Sequence, residues 1–291
     1  MAHGGGGRGG IWNVRATIIF AFASGSRLPY TTLMKRMAIL SATLVALLLS
    51  GCLTSSPNGI TQVATIDALL AGVYDGHLSL MDLRRHGDFG IGTFERLDGE
   101  MILLDGMFYQ VRANGRVYRP PLLERTPFAC VTPFVPDYRA SITTPADMQA
   151  LERLIDAAVP EQNRFCAFRV HGYFKHVRTR SVPAQTKPYR PLSEVTRNQP
   201  VFEIDEVRGT VIGFRSPPFV KGVNVPGYHM HFLADDLSSG GHVLAFQLTR
   251  GTLAMDTLHD WMHVYLPEGS NAFATTDLSP DRSRELQAVE K

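Results

Sequence analysis

Gly227-Tyr228-His229-Met230-His231-Phe232-Leu233-Ala234-Asp235-Asp236-Leu237-Ser238-Ser239-Gly240-Gly241-His242 is the stretch of this 291-residue sequence that decides the reading of its fold. Tyr228 to Leu233 alternates in the manner of a strand, and side chains two apart on a strand share a face, so His229 and His231 address the same side. The run Asp235 to Gly241 is rich in turn formers. A hairpin centred between Asp236 and Leu237 sets His242 directly opposite His231, where facing side chains stand about 5 Å apart at Cβ. Three imidazoles then converge. Three neutral imidazoles with an open fourth position are the ligand set of a catalytic zinc site, whereas closed structural sites lean on cysteine. Iron, manganese or nickel suit the same ligands. The remaining folded-region histidines, His77, His86, His171, His176, His259 and His263, offer no comparable register.

Outward from this hairpin, the C-terminal half reads as strands: Phe165 to Val177, Val201 to Ser216, His242 to Thr249 and Trp261 to Leu266, broken by prolines and glycines. Upstream, Gly90 to Glu95 and Glu100 to Leu104 flank the turn Leu97-Asp98-Gly99, and further turns at Asp105-Gly106 and Asn114-Gly115 bound the strand Met107 to Arg112. Two helices are expected. One spans Val63 to Tyr74; the other spans Pro145 to Ala158, capped by Thr144, with Met148, Leu151, Leu154 and Ile155 at helical spacing. The expected fold is α+β and β-rich: two sheet-based lobes with few helices, one over 62–190 and a metal-binding one over 191–291.

The beginning of the chain has a different character. Met34-Lys35-Arg36-Met37 is basic, Ala38 to Leu49 is an apolar run of about a dozen residues, short against the roughly 20 of a membrane span, and small residues follow. Leu49-Ser50-Gly51-Cys52 resembles the lipobox of bacterial lipoproteins, in which the cysteine becomes the lipid-bearing N-terminus. Residues 1–52 are therefore expected to be a leader and lipoprotein-type signal, 53–61 a polar tether, and the protein exported, anchored through Cys52 or else secreted. The formal charge of +2 provides no field that gathers nucleic acid, so no nucleic-acid partner is expected. Three cysteines are too few for a disulfide scaffold, although Cys130 and Cys166 could pair in an oxidising compartment.

From Gln62 onward the text resembles the α-acetolactate decarboxylase family. The carrying blocks are Gly72-Val73-Tyr74-Asp75-Gly76, His86-Gly87-Asp88-Phe89-Gly90-Ile91-Gly92-Thr93-Phe94, Leu97-Asp98-Gly99-Glu100-Met101, Leu104-Asp105-Gly106, Thr126-Pro127-Phe128-Ala129, Arg180-Ser181-Val182-Pro183 with Gln185 and Pro188-Tyr189, and Gly227 to Leu233. The resemblance implies zinc on His229, His231 and His242, with Glu100, Arg180, Thr93 and a C-terminal glutamate around the substrate. Glu290 is the choice for that glutamate and Glu285 the alternative. It also implies a homodimer of two-lobed subunits that converts 2-acetolactate to acetoin and carbon dioxide. Acetolactate is a β-keto acid, so its own ketone can accept the electron pair that carbon dioxide leaves behind. Arg180 offers a planar fork for a carboxylate. Glu100 is expected in a desolvated place that favours its protonated form, and Thr93 can donate to a substrate oxygen. Two other readings compete. A cupin-like oxygenase or a hydrolase would consume oxygen or water instead, and a non-catalytic metal-binding lipoprotein would bind metal without turning acetolactate over.

Overall fold

The computed structural model describes residues 58–290. The expected leader and signal, Cys52 and the tether up to residue 57 lie outside the described residues. The principal elements, in chain order, are β1 (Ile60–Val63), α1 (Ile66–Leu70), β2 (Phe89–Thr93), β3 (Glu100–Leu104), β4 (Met107–Val111), β5 (Val117–Tyr118), β6 (Ala129–Thr132), β7 (Tyr138–Ile142), β8 (Ala146–Asp147), α2 (Met148–Ala158), β9 (Phe165–Arg180), α3 (Leu192–Val195), β10 (Val201–Ser216), β11 (Gly227–Ala234), β12 (Gly240–Leu258), β13 (Met262–Tyr265) and α4 (Ser283–Glu290). The fold is β-rich α+β with few helices, as expected.

Two large sheets carry it. The first has seven strands in the order β13-β1-β6-β2-β3-β4-β5. The second runs β8-β12-β9-β10-β11 with β7 also on β12, and the start of β12 pairs back onto β11. That last pairing closes β9, β10, β11 and β12 into a ring. The sheets meet through one apolar layer. Phe89, Ile91, Ile102 and Val111 of the first pack with Phe165, Ala167, Ile212, Phe214 and Leu233 of the second. On its other side the second sheet buries Phe168, Phe174, Phe232 and Phe246 beneath Leu151 and Ile155 of α2.

Several boundaries need correction. The chain passes from the first sheet to the second between β6 and β7, and β13 returns to the first, so the expected division at residue 190 does not separate the lobes. The long strand β9 belongs with the C-terminal strands because its whole length pairs with β10 and β12. A tether reaching residue 61 is also overturned, since Ile60 and Val63 are fully buried and β1 lies between β13 and β6. The first helix begins at Ile66 behind a Thr65 cap, because Val63 is committed to the sheet, and the chain leaves helical geometry at Gly72 (φ +93°). The second is capped by Asp147 rather than Thr144, since Ala146 and Asp147 first pair with β12. Leu154 is exposed and stands off that helix's buried stripe. Cys130 and Cys166 are both free and buried and are not paired with each other as the sequence allowed; burial pushes each thiol up to about 12.

Candidate metal centre

Strand register assembles the site. His231 pairs with His242, and His242 pairs with Arg180, so three chemically active side chains stand in one cross-strand row on one face. His231 also pairs with Ile212, which belongs to the layer between the sheets, so this face looks at the first sheet. There Ile91 pairs with Ile102, and two residues along, on the same face, Thr93 pairs with Glu100. The apolar inter-sheet layer thus turns polar at one end, from both sides at once. The hairpin register read from the sequence is the one observed.

The three imidazole rings have centroids 5.0–5.5 Å apart, and one nitrogen from each lies within 4.8 Å of the others. His231 Nδ1 stands 2.8 Å from the Met101 carbonyl. A carbonyl only accepts, so that nitrogen carries the proton and Nε2 is left with its lone pair. Nε2 is buried and has no hydrogen-bond partner, the state of a nitrogen ready for a cation. Burial, and then the nearby Arg180 guanidinium, hold His229 down to about 3; burial chiefly pushes His231 and His242 well below the usual imidazole range as well. All three are neutral, as metal ligation requires. The donor set therefore fits a divalent transition metal.

Two carboxylates approach this cluster. Glu290 Oε2 lies 3.9 Å from His229 Nε2 and 3.8 Å from His242 Nε2, and Glu100 Oε2 lies 3.5 Å from His231 Nε2. Burial pushes both carboxyls up to about 7, with Arg180 pulling each the other way and Glu290 adding to the push on Glu100. Arg180 donates from Nη2 to the Val289 carbonyl (2.8 Å) and from Nη1 to Gln199 Oε1 (3.0 Å), with Glu100 Oε1 3.8 Å away. Glu290 comes close because α4 docks. Val289 is buried, and Leu286 packs beside it, in a cluster with Ile66, Leu69 and Leu70 of α1, Leu192 and Val195 of α3, Leu97, Phe128 and Val182. Glu285 instead pairs with Arg282, with its side chain 40% exposed, so Glu290 is the glutamate brought to the site.

Thr93 lies where expected but is equipped differently. Its hydroxyl donates to the Gly99 carbonyl (2.7 Å), so the donor role toward a substrate is corrected and only an acceptor lone pair is left over. The space between these groups is about 40 Å³, bounded by Thr93, Glu100, Arg180, His229, His242 and Glu290 and by apolar walls including Ile66, Phe128 and Leu192.

The family model for alpha-acetolactate decarboxylase matches residues 60–280. The chain belongs to that family. Among decarboxylases so named, the one from Raoultella terrigena is 44% identical over 232 residues, 79% of this chain and 89% of the relative, and that from Methanosarcina mazei is 46% identical over 79% of both chains. The crystal structure of the alpha-acetolactate decarboxylase from Bacillus subtilis strain 168 matches with a TM-score of 0.77 at 39% identity, over 80% of this chain and 99% of that one. In the present alpha-acetolactate decarboxylase family member, two features of the site escaped the sequence reading. The Met101 carbonyl on His231 follows only from the contact between sheets, and Gln199 carries no spacing signal. Its sole local mark is the proline after it.

Proposed function

We propose that this protein decarboxylates 2-acetolactate to acetoin and carbon dioxide, using a zinc ion held by His229, His231 and His242. The observation that carries the reading is the convergence of three neutral imidazoles, those of His231 and His242 buried and that of His229 partly so, with Arg180, Glu100 and Glu290 in a chain of this family. When bound, the metal supplies Lewis-acid stabilisation of the negative charge that develops on the substrate's oxygens. The chain's own residues do the rest. Arg180, buried and always charged, presents its fork to the substrate carboxylate and orients the bond to be broken. That bond's electron pair moves toward the neighbouring ketone, giving an enediolate as carbon dioxide departs. Glu100, raised to about 7, is about half protonated at neutral pH, and in its protonated form it can deliver that proton to the former carboxyl-bearing carbon. Glu290 stands on the other side next to His229 and His242, and apolar side chains form part of the wall, where charge interactions are less screened than in bulk water.

The same reading extends to the protein's setting. The basic, apolar and small-residue order of 34–52 supports export, with lipidation at Cys52, and the family supports a homodimer. Metabolic labelling with a fatty acid, lost in Cys52→Ser, tests the first; sedimentation of the purified protein tests the second. For the activity, protein beginning after Cys52 is assayed for acetoin with and without a chelator, with an oxygen electrode in the same cell. Chelator-sensitive acetoin formation without oxygen uptake is the expected result. Oxygen consumption would favour the oxygenase reading, and zinc binding without turnover the non-catalytic one.

A further inference from the structure

The structure assigns Gln199 as a positioning residue that sets the orientation of the Arg180 guanidinium for the substrate's carboxylate; the assignment rests on the decarboxylase reading above. Arg180 is only 4% exposed, and among the described residues it is the one lysine or arginine lining the cavity. Its Nη1 donates to Gln199 Oε1 (3.0 Å) and its Nη2 to the Val289 carbonyl (2.8 Å). Nε is enclosed and has no partner among the described residues. A buried guanidinium N–H without an acceptor is costly unless something else supplies one. A carboxylate brought by the substrate is the missing acceptor that suits a guanidinium best.

Gln199 is built to hold its end of this contact. It follows the tight turn Thr196–Asn198 and donates its own N–H to the Thr196 carbonyl (3.3 Å). Pro200 after it favours extended backbone, which is what Gln199 adopts (φ −69°, ψ 142°). The next residues lock into the sheet: the Pro200 carbonyl accepts from Ser181 N, and Val201 pairs with Arg180 itself. Gln199 therefore hangs from the same strand pair that carries Arg180, one short step away. Its chemistry matters as much as its place. An amide oxygen fixes the planar fork without cancelling its charge, whereas an aspartate or glutamate there would form a closed ion pair and leave less field for an incoming carboxylate.

The test separates orientation of a carboxylate from general damage. Gln199→Met keeps length and loses the acceptor; Gln199→Glu keeps the acceptor and adds a charge. Two non-reacting ligands are compared as competitive inhibitors of the zinc-loaded enzyme: 2,3-dihydroxy-2-methylbutanoate, which has the carboxylate but no ketone to receive electrons, and acetoin, which has no carboxylate. The expected result is that Gln199→Met weakens the carboxylate-bearing inhibitor and raises KM for acetolactate by about tenfold, the value of one hydrogen bond to a charged group. Acetoin inhibition should stay within about twofold and zinc content should be unchanged. Gln199→Glu should weaken the same inhibitor through charge while leaving acetoin inhibition alone, which keeps the test available if the Met variant folds poorly. Equal loss for both inhibitors, or no loss for either, overturns the assignment. A wild-type protein that forms no acetoin overturns the decarboxylase reading itself, a distinct result seen before any variant is made.

Discussion

Arg180 Nη2 donates to the main-chain carbonyl of Val289 at 2.8 Å, so the residue before Glu290 is tied to the arginine that stands beside Glu100. The C-terminal helix is thereby part of the site, held from below by the Leu286 and Val289 side chains and from above by a charged donor. Deleting the chain from Glu285 onward removes both holds together with Glu290. The expected outcome is a fall in kcat/KM of about 100-fold or more, with zinc binding largely retained because the three imidazoles come from the sheet. A truncated protein that decarboxylates acetolactate at the full-length rate would remove every C-terminal glutamate from the mechanism.

Glu290 and Glu285 can be separated by single amide substitutions. Glu290 lies partly buried within 4 Å of two imidazoles, whereas Glu285 pairs with Arg282. Glu290→Gln should lower kcat by about 100-fold, the range for losing one acid or base group, and Glu285→Gln should stay near the parent. Steady-state rates measured at equal zinc occupancy give the answer, and the reverse ranking would reassign the residue.

The metal cluster makes a third expectation. His229→Ala, His231→Ala and His242→Ala should each lose bound zinc and turnover together, as measured by elemental analysis of dialysed protein alongside acetoin formation. His231→Ala should be the most damaging to stability as well, because it also strands the buried Met101 carbonyl. Stoichiometric zinc in all three variants would place the metal elsewhere.

The sequence made the ligand set legible because a hairpin obeys local rules. Period-two alternation and the midpoint of a turn are enough to put His242 opposite His231. Family resemblance brought Glu100, Arg180 and Glu290, none of which any spacing could join to the histidines. What spacing cannot show is pairing across long separations. Arg180 meets His242 only because β9 crosses the second sheet beside β12, and the same fact moved β9 out of the lobe expected for it. The partner of the Thr93 hydroxyl is hidden for a similar reason. Its acceptor, the Gly99 carbonyl, is fixed by the tight connection between β2 and β3, where Arg96 and Leu97 both take positive φ. Such backbone geometry leaves little mark on residue type.

Arg180→Lys retains a positive charge but cannot serve Gln199, Val289 and a carboxylate from one rigid plane. Turnover should fall about 10- to 100-fold with zinc content unchanged, and α4 should become less well held. Hydrogen exchange over 283–290, measured beside the kinetics, should speed up in the variant. Normal kinetics with unchanged exchange would make Arg180 a structural ion-pair partner and no more.

The last expectation concerns stability and lies away from the chemistry. Asp256 on β12 is buried, and its Oδ2 accepts from Val135 N (2.7 Å), tying down the segment by which the chain crosses from the first sheet to the second. Its Oδ1 has no partner among the described residues. Burial pushes the carboxyl up to about 6 from 3.8, with Asp137 and Asp88 adding to the push while the Val135 hydrogen bond and His259 oppose it. The native state therefore holds the proton more tightly than the unfolded chain does. Well below pH 4 both states are protonated and nothing is lost; as pH rises from there through about 6 the unfolded state is favoured, and stability falls by on the order of 3 kcal/mol. Asp256→Asn keeps an acceptor for Val135 N and removes the ionisation. Its melting temperature should exceed the parent's by a few degrees at pH 7.5, and the gap should close as pH falls to 4. A gap that is constant over that range, or that widens toward acid, would show that Asp256 enters the folded state already charged and paired.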